Sequence, residues 1–407
     1  MIDAAVALLR STATIRERCA SITRAVEAGD SAHFTIDRAR LPEVVQHVEA
    51  VTRERHPALA IPYHSRWRHF EVGGVDRKAR LDAALAGRTA AAQARARVDL
   101  TLVSVLLDAG AGPNWRYTES PGGAEFTRSE GLGVASFAAF MQGRFSSDAG
   151  DPYRVDAVAL KRIDAAQLGA MFQADAANPL VGLEGRAALL RRLGDALQAQ
   201  PDVFGGDGRP GGLFDALTHH GENHRIAAPR LLRALLDHLS GIWPAGQQLH
   251  GVPLGDCWPH RHAGGAGASA GWVPFHKLSQ WLSYSLLEPL EWAGVHLSDL
   301  DGLTGLPEYR NGGLLLDAGV LQPRDADFAA RRYTPGDELI IEWRALTVTL
   351  LDEIAAQLRL RLGLCAEQVP LARVLEGGTG AAGRVLAAQR RPGGPPPLTI
   401  DSDGTVF

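Results

Sequence analysis

Cysteine is scarce in this 407-residue chain: Cys19, Cys257 and Cys365 are odd in number and far apart. They supply neither a disulfide framework nor a paired-thiolate metal site, and read as reduced, buried thiols. An excess of one charge is missing too. A net charge of −4 with 22% charged residues leaves no footprint for nucleic acid and no polybasic membrane surface. No stretch approaches the ~20 apolar residues of a spanning helix, and no leader pattern of basic, apolar and small residues opens the chain. The expectation is a cytoplasmic protein that handles a small molecule without nucleic acid, membrane or cofactor, and that is compatible with a homo-oligomer.

Dinucleotide and P-loop fingerprints are absent as well. The Gly-rich stretches Phe204 to Leu213 and Ala263 to Gly271 break the periodicity without a strand before them and a helix after them, so they read as loops. No internal repeat and no shift in composition marks a boundary.

What the chain does have is helical periodicity. Ile15, Cys19, Ile22 and Val26 share a face; Pro42 opens a helix carrying Val44, Val48 and Val51. Further helices follow from Leu190, Leu193 and Leu197, from Leu232, Leu235, Leu236 and Leu239, and from Phe275, Leu278, Leu282 and Leu286. His33 to Asp37 alternates like a short strand. This predicts a mainly α fold with a few short strands: one large helical domain over 1–385, and an extended Pro/Gly-rich strap over 386–407.

The densest chemistry lies in Leu303 to Asp317. Here Glu308, Tyr309, Arg310 and Asn311 crowd onto a Gly/Pro-punctuated stretch, and Gly312 and Gly313 allow close approach of the backbone to a ligand. A surface turn with solvated charges is the plainer alternative. On the helix after Pro274, Lys277, Trp281, Tyr284 and Glu288 form one stripe beside the apolar one. Aromatics and an ammonium on one face suit a ring-bearing anion, although a snorkelling lysine beside core aromatics has the same spacing.

Asp108, Asn114, Trp115, Arg116 and Tyr117 border a Gly/Pro loop after an apolar helix. This suits a pocket rim, or a carboxylate satisfied by turn amides. Ser129 and Glu130 are expected to cap the helix running through Phe137 and Phe140. Glu342 interrupts the apolar run Asp337 to Arg344 that precedes a helix from Ala345 to Ala356. It is either a structural partner of Arg344 or Arg310, or the second carboxylate of an acid/base site. His219, His220 and His224, with His260 and His262 elsewhere, invite a metal reading. Gly221 and the lack of a third ligand at helical spacing argue against it, and no metal is expected.

The blocks Leu106 to Gly112, Arg128 to Leu132, Phe275 to Leu282 and Leu306 to Asp317 resemble the uracil catabolism protein 4 family over most of the chain. That resemblance implies a part in a uracil-degrading route with nucleotide or ribosyl intermediates. Four blocks in the same order, around Asp108, Phe275-His276-Lys277, Pro307-Glu308-Tyr309-Arg310 and Glu342-Trp343-Arg344, are also similar to the helical queuosine salvage N-glycosylases. This second resemblance implies that Glu308 stands in place of a catalytic aspartate and Lys277 in place of a phosphate- or ribose-binding lysine. Tyr309 and Arg310 keep their identities. A glutamate there sets the carboxylate further out than an aspartate would.

The expected activity is N-ribosyl hydrolysis of a ribosyl or ribosyl-phosphate intermediate, with ribosylurea as a candidate. Glu308, Asp108 and Glu342 are the catalytic candidates. Lys277, Tyr309, Arg310, Asn311, Trp281, Trp115, Phe275, His276 and Arg344 are the substrate-binding candidates. A non-catalytic carrier of a pathway intermediate and a metal-dependent amidohydrolase acting on a ureido group are the alternatives. The segments around Asp108, Lys277, Glu308 and Glu342 are expected to converge on one cavity.

Overall fold

The computed structural model describes residues 4–219, 225–244 and 246–401. The described chain is mainly α-helical, and each of its strand pairs is small. Contacts group it into two compact units: one gathers described residues within 1–64, 247–280 and 299–402, the other those within 65–246 and 281–298. Among the described residues no helix is long and apolar enough to cross a membrane.

The first unit is organised on the helix Glu338–Leu362, which buries residues around most of its circumference from Leu339 to Leu358. A helix apolar on all sides belongs in a core. Arg359 and Arg361 in its last turn oppose the dipole, and Gly363, at φ +68, ends it in the left-handed conformation. The helix begins at Glu338, so the run Asp337 to Arg344, read as preceding a helix from Ala345, is its first two turns. Its apolar residues, Leu339, Ile340, Ile341 and Trp343, are too few and too contiguous to carry a period from which to tell.

The helix Thr12–Glu27 packs on it through the expected face Ile15, Cys19, Ile22 and Val26, and Ser11 Oγ caps it by accepting the Thr14 N–H at 3.1 Å. The helix Leu41–Arg55 packs alongside and buries Val44, Val48 and Val51. Phe34–Ile36 pairs antiparallel with Leu321–Pro323, and Cys257–Pro259 with Trp272–Pro274. Cys19 and Cys257 are buried as expected, whereas Cys365 is exposed in the turn after the long helix.

Leu303 to Asp317 divides into a loop and the helix Tyr309–Asp317, so its glycines serve packing. A Cβ on Gly312 would lie 2.3 Å from the Trp343 ring, whose Nε1 donates to the Gly312 carbonyl at 3.1 Å. The C-terminal helix Gly380–Arg390 packs against this helix and runs four residues beyond Leu386. After it the tail is extended: Arg391 forms a two-pronged pair with Asp317, at 2.7 and 2.6 Å, and Thr399–Ile400 lies parallel to Arg332–Tyr333. Residues 402–407 of the expected strap lie outside the described residues.

The second unit holds the helices Ala90–Leu106, Arg128–Met141, Leu183–Gln198 and Ala228–Leu239, with the hairpin Arg116–Glu119 and Ala124–Thr127. Capping by Ser129 and Glu130 is not found. The N-cap residue is Thr127, without a side-chain bond, and Arg128 enters the helix at φ +54. Of the metal candidates, His220 and His224 lie outside the described residues.

Gly312→Ala is expected to lower stability by about 1–3 kcal/mol, because the methyl overlaps an indole fixed in the core. Gly122→Ala, where nothing lies within 4 Å, should change it by less than about 0.5 kcal/mol. Urea unfolding of both variants measures the difference.

Candidate functional site

In the first unit the residue that fixes the polar groups is one the sequence reading passed over. Asp256, buried, receives Arg344 Nη1 and Nη2 at 2.7 Å each, Trp258 Nε1 at 2.7 Å and the Lys277 backbone N–H at 2.9 Å. Burial pushes its carboxyl up, but the Arg344 charge and these donors prevail and hold it at about 2. Arg344 also lies 4.2 Å from the centre of the Phe275 ring, a cation–π contact. Arg344 therefore pairs with Asp256 and not with Glu342.

Glu342 belongs to a different set. Its Oε1 takes a hydrogen bond of 2.5 Å from Ser31 Oγ, which itself accepts the His33 and Phe34 N–H groups. Its Oε2 lies 3.8 Å from His260 Nε2, and Glu338 Oε1, one helical turn earlier, lies 3.9 Å from the same nitrogen. Burial raises the Glu342 carboxyl and drives the His260 imidazole down to about 4, so His260 is neutral near pH 7. Its Nε2 makes no hydrogen bond among the described residues. Glu338 is clamped by Arg261, with both bonds at 2.5 Å, which holds its carboxyl at about 2. A cavity of about 430 Å³ opens here, lined by His260, Arg261, Trp272, Glu338 and Ile341 among others. It pairs a neutral imidazole and an ionised carboxylate with an indole wall, chemistry suited to a flat polar ligand. Among the described residues no group of His, Cys, Asp and Glu has metal-holding geometry.

The Glu308 cluster sits at the start of the helix Tyr309–Asp317. Glu308 is its N-cap, Oε1 accepting the Asn311 N–H at 3.1 Å. It is half-buried and forms no ion pair among the described residues, so pairing with Arg310 or Arg344 is not its role. Tyr309 donates to the Ile400 carbonyl at 3.4 Å, and burial, then the Glu308 charge, pushes its hydroxyl up to about 12. Asn311 is buried: Nδ2 donates to the Leu306 carbonyl at 3.1 Å, while Oδ1 accepts nothing among the described residues. No hydrogen bond or ion pair joins Glu308 to Glu342.

Two more candidates are structural in this unit. His276, at φ +50, is buried with Nε2 2.9 Å from the Leu9 carbonyl, and burial lowers its proton affinity. Phe275 is the floor for Arg344. Lys277 is the first residue of the helix Lys277–Trp292 and is half-buried.

Asp108 belongs to the second unit, where its carboxylate lies 2.9 Å from the buried Arg66 guanidinium. Arg66 also donates to Ser104 Oγ at 2.7 Å and to the Ser129 carbonyl at 3.0 Å. The loop after Asp108 is held by Arg186, whose Nη2 donates to the Ala109 and Gly110 carbonyls at 3.1 and 2.8 Å. Trp281 stands with its ring 6.0 Å from that of His69. Trp115 is a core residue, 1% exposed, its Nε1 donating to the Phe172 carbonyl at 3.0 Å; it presents no free face for stacking.

Asp256 and Arg66 are candidate-site neighbours that no motif or spacing in the sequence marks. Asp256 carried a weak signal, a lone acid between Gly255 and the Cys257–Pro259 strand. For His260 the sequence suggests only a metal ligand.

A family model described as protein of unknown function DUF1688 matches residues 8–407. Uracil catabolism protein 4 of Lachancea kluyveri is 37% identical over 440 residues, covering 100% of both chains. Protein urg3 of Schizosaccharomyces pombe is 40% identical over 410 residues, covering 99% of both.

Replacing Asp256 with Asn should destabilise the protein by about 3–5 kcal/mol, because a buried guanidinium loses its counter-charge. In the parent protein the depressed carboxyl contributes stability that is fully present above about pH 4, and that contribution fades as pH falls towards 2. Denaturant melts between pH 2 and 7 should show an acid-side loss in the parent that is smaller in the Asn variant, where depressed carboxyls such as Glu338 still contribute.

Proposed function

The chain belongs to the DUF1688 family, and on that premise we propose that it takes part in uracil catabolism as an N-ribosyl hydrolase. Full-length similarity to a protein named for uracil catabolism supports the pathway. The state of Glu308 supports the chemistry. It is a half-buried carboxylate oriented by a single N–H and free of any cationic partner among the described residues. A negative group fixed in this way suits an oxocarbenium-like transition state, in which positive charge develops at the sugar C1′.

In the proposed reaction water adds to C1′ and the C1′–N bond breaks. The bonding pair leaves on nitrogen, and a proton from the water ends there. Glu308 Oε2 faces the cationic carbon while Oε1 stays on the Asn311 N–H. Tyr309, protonated throughout the working range, and the Asn311 amide offer hydrogen bonds to ribose hydroxyls. Lys277 holds the phosphate when the substrate is a 5′-phosphate.

Glu308→Gln is expected to cut turnover at least about a hundredfold with the melting temperature and ligand affinity nearly unchanged, since the amide keeps shape and loses charge. Ribose release from ribosylurea, uridine and their 5′-phosphates is the assay. Tight binding with no ribose release by the parent protein would make it a carrier, and full activity of the Gln variant per folded molecule would remove Glu308 from the chemistry.

A further inference from the structure

The glycine-rich stretch Ala263 to Gly271 lies over a buried cation. Arg18, on the helix Thr12–Glu27, is 1% exposed. Its guanidinium has two polar neighbours among the described residues: Ser269 Oγ, 3.4 Å from Nη2, and Glu17 Oε1, 3.9 Å from Nε on a side chain that is 61% exposed. Nε and Nη1 have no hydrogen-bond acceptor among the described residues. Arg344 in the same unit has a two-pronged carboxylate; Arg18 has nothing equivalent, and a buried charge without such a partner costs several kcal/mol.

The loop is shaped to the guanidinium. A Cβ on Gly265 would fall 1.5 Å from Arg18 Nη1, and one on Gly264 would fall 3.1 Å from Ser21 Oγ. Gly264 and Gly265 are at φ +72 and +87. The N–H groups of Gly264, Gly265 and Ala266 make no hydrogen bond among the described residues. Free amides on a left-handed glycine turn add positive potential to that of the cation.

We propose that Arg18, Ser21, Ser269 and the amides of residues 264–266 form an oxyanion site that takes a phosphate group. Two N–H groups of a guanidinium and a run of amides match three phosphate oxygens. The dianion supplies a close counter-charge, which the exposed Glu17 at 3.9 Å does not. The site is independent of Glu308, and the phosphate is either inorganic or the end of a phosphate ester.

Binding of inorganic phosphate and of ribose 5-phosphate is measured by calorimetry and thermal shift, against chloride at matched ionic strength. The full-length parent should bind phosphate saturably and melt at a higher temperature with it. Arg18→Met should fold at least as well in chloride and bind phosphate more weakly by roughly tenfold or more. If the Met variant does not fold, Gly265→Ala, which displaces the guanidinium, should show the same loss. Stronger binding of ribose 5-phosphate than of phosphate identifies the ester as the ligand, and equal binding identifies the free ion. No saturable binding by the parent, or equal binding by the variants, overturns the site and leaves Arg18 as a prop beneath the loop.

Discussion

The buried Asp256–Arg344 pair is the interaction on which the first unit depends. Removing both charges from water is costly, and the pair is tolerable only because its hydrogen bonds are nearly complete. Asp256 accepts both guanidinium nitrogens, the Trp258 indole and the Lys277 N–H, while its own carbonyl accepts the N–H groups of Phe275 and His276. One side chain thereby ties the Cys257–Pro259 strand and the start of the Lys277–Trp292 helix to the long helix Glu338–Leu362. Phe275 and His276 are both taken up by this framework. His276 is in the left-handed region, at φ +50, where its N–H and that of Phe275 share the Asp256 carbonyl.

Around that framework the unit treats its other charges differently, and the contrast is what favours Glu308 in the proposed reaction. Glu342 is buried, bonded to Ser31 and raised in proton affinity. Glu308 keeps partial access to solvent and has one neutral donor. A carboxylate facing a transient cation needs the second environment, because a permanent cationic partner would already have neutralised it. Arg18 is the converse case, a buried cation whose ion-pair partner, Glu17, is exposed and 3.9 Å away. Such groups are rare in folded proteins because water is lost and nothing replaces it.

The fold class was legible because helical periodicity survives in a single sequence. The faces of the Thr12–Glu27 and Leu41–Arg55 helices follow directly from apolar spacing. Legibility failed wherever spacing carries no period. The run Asp337 to Arg344 opens the long helix, buried from Leu339 onward, and a short contiguous apolar stretch such as Leu339 to Ile341 looks the same in a strand or a core helix. Gly312 and Gly313 looked like ligand-approach glycines, yet Trp343 stands against the first and Pro397 close to the second.

By itself the sequence determined a mainly helical and nearly neutral protein, together with the short list of polar residues from which any site must be drawn. These follow from composition and from periodicities of a few residues. Only the tertiary structure decided who pairs with whom. Arg344 took Asp256, 88 positions away in the chain, and Asp108 took Arg66; Glu308 was left with a backbone amide. Ion pairs are chosen by proximity in space and by the shared cost of desolvation, and neither is a function of distance along the chain.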